Sequence, residues 1–368
     1  MKERINTGRQ GELDVAKALA IPYMVIIHIY EEMSGVDYGV RPDNLFRGVL
    51  EFLGGPLAAP VFMFAMGVGM VYTRHRTPRA FALRGLRLLA SAYLLNLVIW
   101  TIPYLLSALR GSPWQGWAIP DTLGMVDILH FAGMAFLLMA LLTRLKAGRF
   151  GIVVTALLLQ GVGTLLLHSF DALPAVARYA VGLVFYSSPN IYFPLSLWFV
   201  YPAFGVLFGE FLQTVRDKRA MYNRLALLSV AGLLAISTGM KLTGWNLLDN
   251  FALAGDIYYV QRFSVSLWTL CVIALQLFIC YHIHRHLHAP LAVTAEYLSR
   301  HLNTIYLIQW VLISYGGIVL HLAGIYEVPA WAIVPTGLLV TALSAFAAKY
   351  IRFNASGKLA KKGEKSYL

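Results

Sequence analysis

Lys17 and His28 stand eleven residues apart on the first apolar segment, residues 13–33. On a helix rising ~1.5 Å per residue they lie about 16 Å apart along the axis. The segment has the roughly 20 residues that a bilayer crossing needs. One polar group would therefore sit near each end of a span. Ionisable groups inside a membrane are expensive and are read as functional by default. Such a pair suggests chemistry that addresses both sides of a membrane. An imidazole titrates near neutral pH and can act as a general base. Glu31 at i+3 and Glu32 at i+4 fall close enough on a helix to orient the His28 ring. Pro22 removes one helical hydrogen bond between the two polar groups and opens the local packing. The bland alternative is a structural histidine bonded to a neighbouring helix.

Other constellations carry weaker signals. Arg84 and Arg87 share a helical face at i, i+3, beside Arg74, Arg76 and Arg79. Guanidinium groups suit phosphate through paired hydrogen bonds, although any cytoplasmic flank would show the same charge. Asp127 and His130, again at i, i+3, could form a relay, a substrate contact or a satisfied structural pair. The run His282-Ile-His284-Arg-His286-Leu-His288 puts four imidazoles on one face only if it is extended. It has no cysteine or carboxylate nearby, so it reads as an interfacial basic loop, with anion or metal binding as the alternative, and no metal ligand set is assigned. Trp114, Trp117, Tyr186, Tyr192, Trp198, Trp245, Tyr258 and Tyr259 could bind a sugar or a lipid headgroup. An interfacial aromatic belt accounts for most of them without function. Asp249, Asn250 and Asp256 are read as a solvated loop with possible polar substrate contacts.

The elements that must position these groups follow from composition. The 368 residues are 58% hydrophobic and only 13% charged, against roughly 25% charged in a soluble domain. Mean hydropathy is +0.65. An all-α polytopic membrane protein is expected. The net charge of +12 is explained by loops that face the cytoplasm and anionic lipid, so no nucleic-acid partner is expected. Cys271 and Cys280 would be about 13 Å apart on a helix, too far for a disulfide. No cleavable signal peptide is expected, because the first apolar run carries Asp14 and Lys17 and no small-residue cleavage site follows it.

Ten spans are predicted: 13–33, 50–73, 84–108, 124–143, 150–168, 193–213, 222–241, 262–283, 297–321 and 328–350. An even count puts both termini on one side. That side then holds most of the thirty Lys and Arg residues, against six on the other: Arg41, Arg47, Arg110, Arg178, Lys241 and Arg262. The positive-inside rule makes both termini cytoplasmic. The apolar stretch 172–187 is short and carries Arg178. It is read as interfacial or re-entrant on the outer face, since a further crossing would destroy the charge bias. Residues 1–353 are expected to form one transmembrane domain, with a basic tail at 354–368.

Taken together, these features resemble the transmembrane acyltransferase superfamily: acyltransferase-3 proteins and, more closely, bacterial relatives of heparan-α-glucosaminide N-acetyltransferase. Glu12-Leu-Asp-Val-Ala-Lys17 through His28 is similar to the opening motif, with Lys17 where arginine is more usual. Pro60-Val-Phe-Met-Phe-Ala-Met-Gly-Val-Gly69 looks like the second-helix signature. Leu83-Arg-Gly-Leu-Arg-Leu-Leu89 is similar to the paired-arginine start of the third helix. Leu123-Gly-Met-Val-Asp-Ile-Leu-His130-Phe resembles the start of the fourth. Leu302-Asn-Thr-Ile-Tyr-Leu-Ile-Gln309 is similar to a late helix that often ends in histidine; Gln309 stands there instead and no catalytic role is assigned to it. The likeness is best over residues 12–135.

The resemblance implies a membrane acyltransferase. A cytoplasmic acyl-CoA, acetyl-CoA first among them, would be the co-substrate, held by Lys17, Arg84 and Arg87. Its acyl group would pass to a hydroxyl or amine of an extracytoplasmic glycan, glycolipid or small molecule. His28 would be the general base or a transient acyl carrier, aided by Glu31, with Asp127 and His130 near the acceptor. The membrane implied is a prokaryotic plasma (inner) membrane. Two other classes compete. A transporter or flippase of an anionic or lipid-linked solute would use Lys17, His28, Asp127 and His130 as a binding or proton path, but the inverted repeats typical of such folds are not found. A non-catalytic assembly partner for surface-polymer export would tolerate loss of His28.

Overall fold

The computed structural model describes residues 3–35, 40–111, 114, 116–187 and 190–351. The basic tail expected at 354–368 lies outside the described residues. The chain begins with α1 (Gly11–Met33), α2 (Leu45–Gly54), α3 (Ala59–Tyr72) and α4 (Pro78–Asn96). A π turn, Leu97–Thr101, leads into α5 (Ile102–Leu109). Then come α6 (Ile119–Gly124), α7 (Ile128–Arg144), α8 (Arg149–Leu165), α9 (Ala175–Gly182), α10 (Leu195–Trp198) and α11 (Val200–Leu212). The last third holds α12 (Lys218–Leu242), α13 (Phe263–His286), α14 (Ala289–Arg300), α15 (Leu302–Leu322) and α16 (Ala330–Ala347).

Eight helical stretches among the described residues are long and apolar enough to cross a membrane: Gly11–Met33, Leu45–Tyr72, Pro78–Leu109, Leu195–Leu212, Lys218–Leu242, Phe263–His286, Leu302–Leu322 and Ala330–Ala347. The shorter apolar helices α7 and α8 stand where the fourth and fifth spans were predicted. The protein is thus an all-helical polytopic membrane protein.

Four local readings need correction. The second span starts earlier, at Leu45, and breaks at residues 55–58, where Pro56 removes an amide donor and disfavours helix at Gly55. The third begins at Pro78, whose fixed φ suits the first helical position, with the Thr77 side chain accepting from the Ala80 amide at 3.2 Å. Arg84 and Arg87 therefore sit inside α4 rather than at its start. The ninth is split at His301 into α14 and α15. The histidine run is not a loop: α13 stays helical through His286, and His282 Nε2 lies 3.4 Å from Asn223 Oδ1 of α12. Within 172–187 the ordered piece is α9, eight residues long. At ~1.5 Å per residue it covers only about 12 Å, too little to cross the hydrocarbon. Its Tyr179 packs on Val126 and Ile191.

α1 is the central helix and packs against α2, α3, α13, α14, α15 and α16. Around it, α3 pairs with α11, α4 with α7, and α12 with α13. The α10–α11 span is 72% buried, whereas α12 is 11% buried and leaves most of its surface for lipid. Backbones in the α3–α11 pair touch. A Cβ on Gly67 would strike the Pro202 carbonyl, and one on Gly205 the Phe64 carbonyl. Small residues allow such approach between spans where apolar burial alone does not drive association. Gly67→Val should cost ~1–3 kcal/mol by overpacking. In detergent this should lower Tm by roughly 2–8 °C. Gly161→Ala on α8, where a Cβ meets nothing, should leave Tm unchanged.

Both ends of α1 are tied down by polar clusters. At its N-terminus, buried Glu12 accepts from Lys218 Nζ at 2.7 Å and from the Tyr222 hydroxyl at 3.1 Å. Asp14 takes two hydrogen bonds from Arg9, at 2.5 and 2.8 Å, and one from Ser299 of α14. At the other end Tyr30 donates to Glu51 of α2 at 2.9 Å and accepts from Arg47 at 2.8 Å. The second Glu51 oxygen accepts from the Leu253 amide at 3.1 Å, which ties the 247–259 loop to the helices. Buried carboxylates are tolerated only when paired in this way.

Candidate functional site

Two cavities lie in series along α1. His28 lines one of about 340 Å³. Lys17 lines the other, of about 260 Å³. Both are walled by Met24, Phe62, Ile128 and Tyr306, which form a ring where they meet. Lys17 and His28 therefore stand in two adjoining cavities that have these four side chains in common.

The His28 imidazole is held from α15. Its Nδ1 is 3.2 Å from Gln309 Oε1. The ring stacks on Trp310 at 4.3 Å and 29°, and Tyr306 meets it edge-on at 6.5 Å. Glu31 is not the ring's hydrogen-bond partner. It accepts from the Tyr259 hydroxyl at 3.2 Å, and both Glu31 and Glu32 line the same cavity. Tyr258 and Tyr259 come from the 254–259 turn, outside the spans. Burial first, and for Tyr259 the Glu31 charge next, pushes both phenols well above their usual range, so Tyr259 remains a donor.

Asp127 caps α7. Its Oδ1 accepts from the Ile128 amide at 2.6 Å, its Oδ2 takes the Tyr306 hydroxyl, and the residue lines the His28 cavity. His130 completes the cap from the other direction: its Nδ1 accepts from the Asp127 amide at 3.3 Å. The ring is buried edge-on against Tyr93 and lines neither cavity. The pair is thus split, with Asp127 facing the cavity and His130 holding its backbone. The end of α6 and the short link to α7 are fixed by Asn96, whose Nδ2 donates to the Leu123 and Met125 carbonyls at 3.0 and 2.8 Å. Trp100, Trp117, Tyr192 and Phe193 add aromatic wall, with Trp100 and Trp117 stacked at 6.4 Å.

The Lys17 cavity is cationic. Lys17, Arg84 and Arg300 line it, with Ser299 and Asn303. Lys17 Nζ lies 3.5 Å from Asp14, whose charge is already shared with Arg9. Arg84 rests over the Phe136 ring at 4.6 Å, a cation–π contact. Arg87, one turn on, is exposed and lines neither cavity. Of the outer aromatics, Trp117, Tyr192, Tyr258 and Tyr259 reach the His28 cavity, while Trp198 and Tyr186 are buried in the core. Asp249 and Asn250 are not solvated. Asp249 pairs with Arg41 at 2.6 Å, and Asn250 accepts from Trp245 at 3.0 Å. The Asp256 side chain lies outside the described residues. Among the described residues no three potential metal ligands come together, the histidine run included.

Sequence reasoning gave no role to Asn303, Tyr306, Gln309, Trp310 or Arg300. A signal was present: Asn303, Tyr306 and Trp310 recur at three and four residues on an apolar helix, one polar or aromatic face. That face closes both cavities.

A family model described as heparan-alpha-glucosaminide N-acetyltransferase, catalytic, matches residues 9–247. No curated protein matches the chain. The matched segment contains Lys17, His28, Arg84 and Asp127 and ends before α13, so the α14–α15 wall of the site lies beyond it.

Proposed function

This protein belongs to the heparan-alpha-glucosaminide N-acetyltransferase catalytic family, since the match spans well over half of its chain, and on that premise we propose that it moves an acetyl group from cytoplasmic acetyl-CoA to an amine-bearing glycan or glycolipid at its outer face. Membership makes it a membrane enzyme of the acetyltransferase type. The donor, the acceptor and the residue roles are our reading. A wider kinship with acyltransferase-3 proteins, a prokaryotic plasma membrane, and residues 1–353 as one domain with a cytoplasmic tail belong to the same proposal.

The observation that carries it is the pair of cavities joined by one ring. The loop charges favour Lys17 and both termini on the cytoplasmic side. Lys17, Arg84 and Arg300 suit the phosphates of a coenzyme A. The path past Met24, Phe62, Ile128 and Tyr306 suits a narrow thioester arm reaching His28. Glu31, Glu32 and Asp127, with no Lys or Arg among the described residues that line the same cavity, suit a cationic amine more than a neutral hydroxyl. The aromatic walls suit the faces of a sugar ring.

In the transfer, the bound ammonium first gives one proton to a cavity carboxylate, Glu31 or Asp127, and the neutral nitrogen then attacks the thioester carbonyl carbon. The C–N bond forms and the C–S bond breaks. His28 Nε2 takes the proton that the nitrogen sheds and returns it to the departing sulfur, so the products are an amide and the free thiol. Glu31 and Asp127 hold the amine; Tyr306 and Trp310 exclude water around the ring. His130 acts only by holding Asp127.

The test is thiol release from acetyl-CoA by the protein in nanodiscs, with glucosamine and glucose as acceptors. Release that depends on the amino sugar supports the proposal. No release, with no acetyl-CoA binding by calorimetry in a monodisperse sample, would sink it; solute uptake into proteoliposomes would then favour a transporter. Within the donor site, Arg84→Gln removes a charge-assisted contact worth ~1.5–3 kcal/mol. Acetyl-CoA affinity should fall roughly 10–100-fold by calorimetry, with kcat nearly unchanged. Arg87→Gln should lose less than about tenfold on the same scale, since the phosphates would meet it only at the cavity mouth.

A further inference from the structure

We infer that Gln309 is the positioning residue that sets the His28 tautomer, its Oε1 taking the Nδ1 proton so that Nε2 keeps a lone pair toward the cavity. This rests on the acetyl-transfer reading above. Gln309 lies outside the matched segment, 281 residues from His28 in sequence, and is fully buried on α15.

A buried primary amide is costly unless its groups are satisfied. Gln309 makes one side-chain hydrogen bond among the described residues, Oε1 to His28 Nδ1 at 3.2 Å, and its Nε2 has no partner. The one bond it makes is therefore the reason an amide at this place can be useful. The ring around that bond is immobilised. Trp310 stacks on one face and Tyr306 abuts its edge, both from the same helix. The nearest acid in sequence, Glu31, is occupied by Tyr259.

The amide's orientation has a chemical consequence. With Oε1 toward the ring, Nδ1 carries the proton and Nε2 is the basic nitrogen. Turned over, the amide NH₂ would donate to Nδ1. Nε2 would then carry the proton, and the cavity would face a donor instead of a base. A single side chain that touches no reacting atom thus decides whether the imidazole can accept the acceptor's proton.

The experiment compares wild type, His28→Ala, Gln309→Leu, Gln309→Glu and Gln309→Leu/His28→Ala in nanodiscs. It reads kcat, KM for acetyl-CoA, and the ¹⁵N NMR tautomer signature of ¹⁵N-histidine-labelled protein, with His28 assigned by its loss in His28→Ala. Gln309→Leu should lower kcat on the order of 10²-fold, with KM for acetyl-CoA within about threefold and the Nδ1–H signature of His28 lost. Gln309→Glu should restore kcat to within roughly tenfold of wild type, because an ionised carboxylate can only accept. In the double variant the Leu change should add nothing. An unchanged kcat in Gln309→Leu would overturn the inference. So would a Gln309→Glu as poor as Leu, or an Nε2–H signature in wild type. If wild type turns over no acetyl-CoA at all, the transfer reading falls, and the NMR signatures still decide the tautomer.

Discussion

His28→Ala is expected to lower acetyl-CoA turnover by ~10²–10⁴-fold, the usual contribution of a positioned acid–base group. Acetyl-CoA affinity should stay within a few-fold of wild type. The separation follows from place: His28 lines one cavity, while the cationic groups line the other, beyond the ring of Met24, Phe62, Ile128 and Tyr306. Removing the imidazole takes away the proton acceptor and leaves Lys17, Arg84 and Arg300 untouched. It also leaves Gln309 Oε1 without its partner and Trp310 without its stacking ring. A stability loss of ~1–3 kcal/mol accompanies an unsatisfied buried acceptor, so the measurement needs a melting curve beside the thiol assay. Turnover within tenfold of wild type in a folded sample would remove His28 from the chemistry and return it to a structural role.

The second large effect concerns the ring. Ile128 is the first residue of α7, next to the Asp127 cap, and is shared by both cavities. Ile128→Trp places an indole where the two meet. The phosphate end of acetyl-CoA should still bind, with affinity lowered by less than about tenfold, but the thioester should no longer reach His28. Misplacing a reacting group by about 1 Å costs on the order of 10²-fold, and a blocked path should cost at least that in kcat. Ile128→Ala opens the same point and should keep turnover within tenfold. Equal loss of binding and turnover in Ile128→Trp, or no loss of either, would mean that the donor does not pass between the cavities.

Much of this site could be read along single helices. The axial distance from Lys17 to His28 is set by helical rise, so α1 alone puts a cation and an imidazole at two levels. Asp127 and His130 at i, i+3 were legible as a pair, and the capping box is one of the arrangements that spacing allows. What stayed hidden was lateral. His28 had two carboxylates within reach on its own helix, yet its partner is Gln309, because α15 packs on that face of α1 and Tyr259 takes Glu31. Arg87 matched a motif as well as Arg84 does, but only Arg84 points into a cavity, and Arg300 joins it from α14. The histidine run read as an interfacial loop because no cysteine or carboxylate stands near it; helix continues through His286 because α13 keeps packing on α12.

Composition and the spacing of apolar runs determined that the chain is a helical membrane protein, and the Lys/Arg bias is the basis for the proposed sidedness of its loops. These are one-dimensional quantities: burial in a bilayer needs a minimum run of apolar residues, and axial spacing needs only the rise per residue. The tertiary structure alone decided which faces meet. Glycine contacts such as Gly67 against Pro202 set how closely α3 and α11 approach, and the α14–α15 break aims Arg300 and Tyr306 at the site. It made two cavities share four side chains, since that depends on residues of α1, α3, α7 and α15 meeting, and no spacing along a single helix encodes such a meeting.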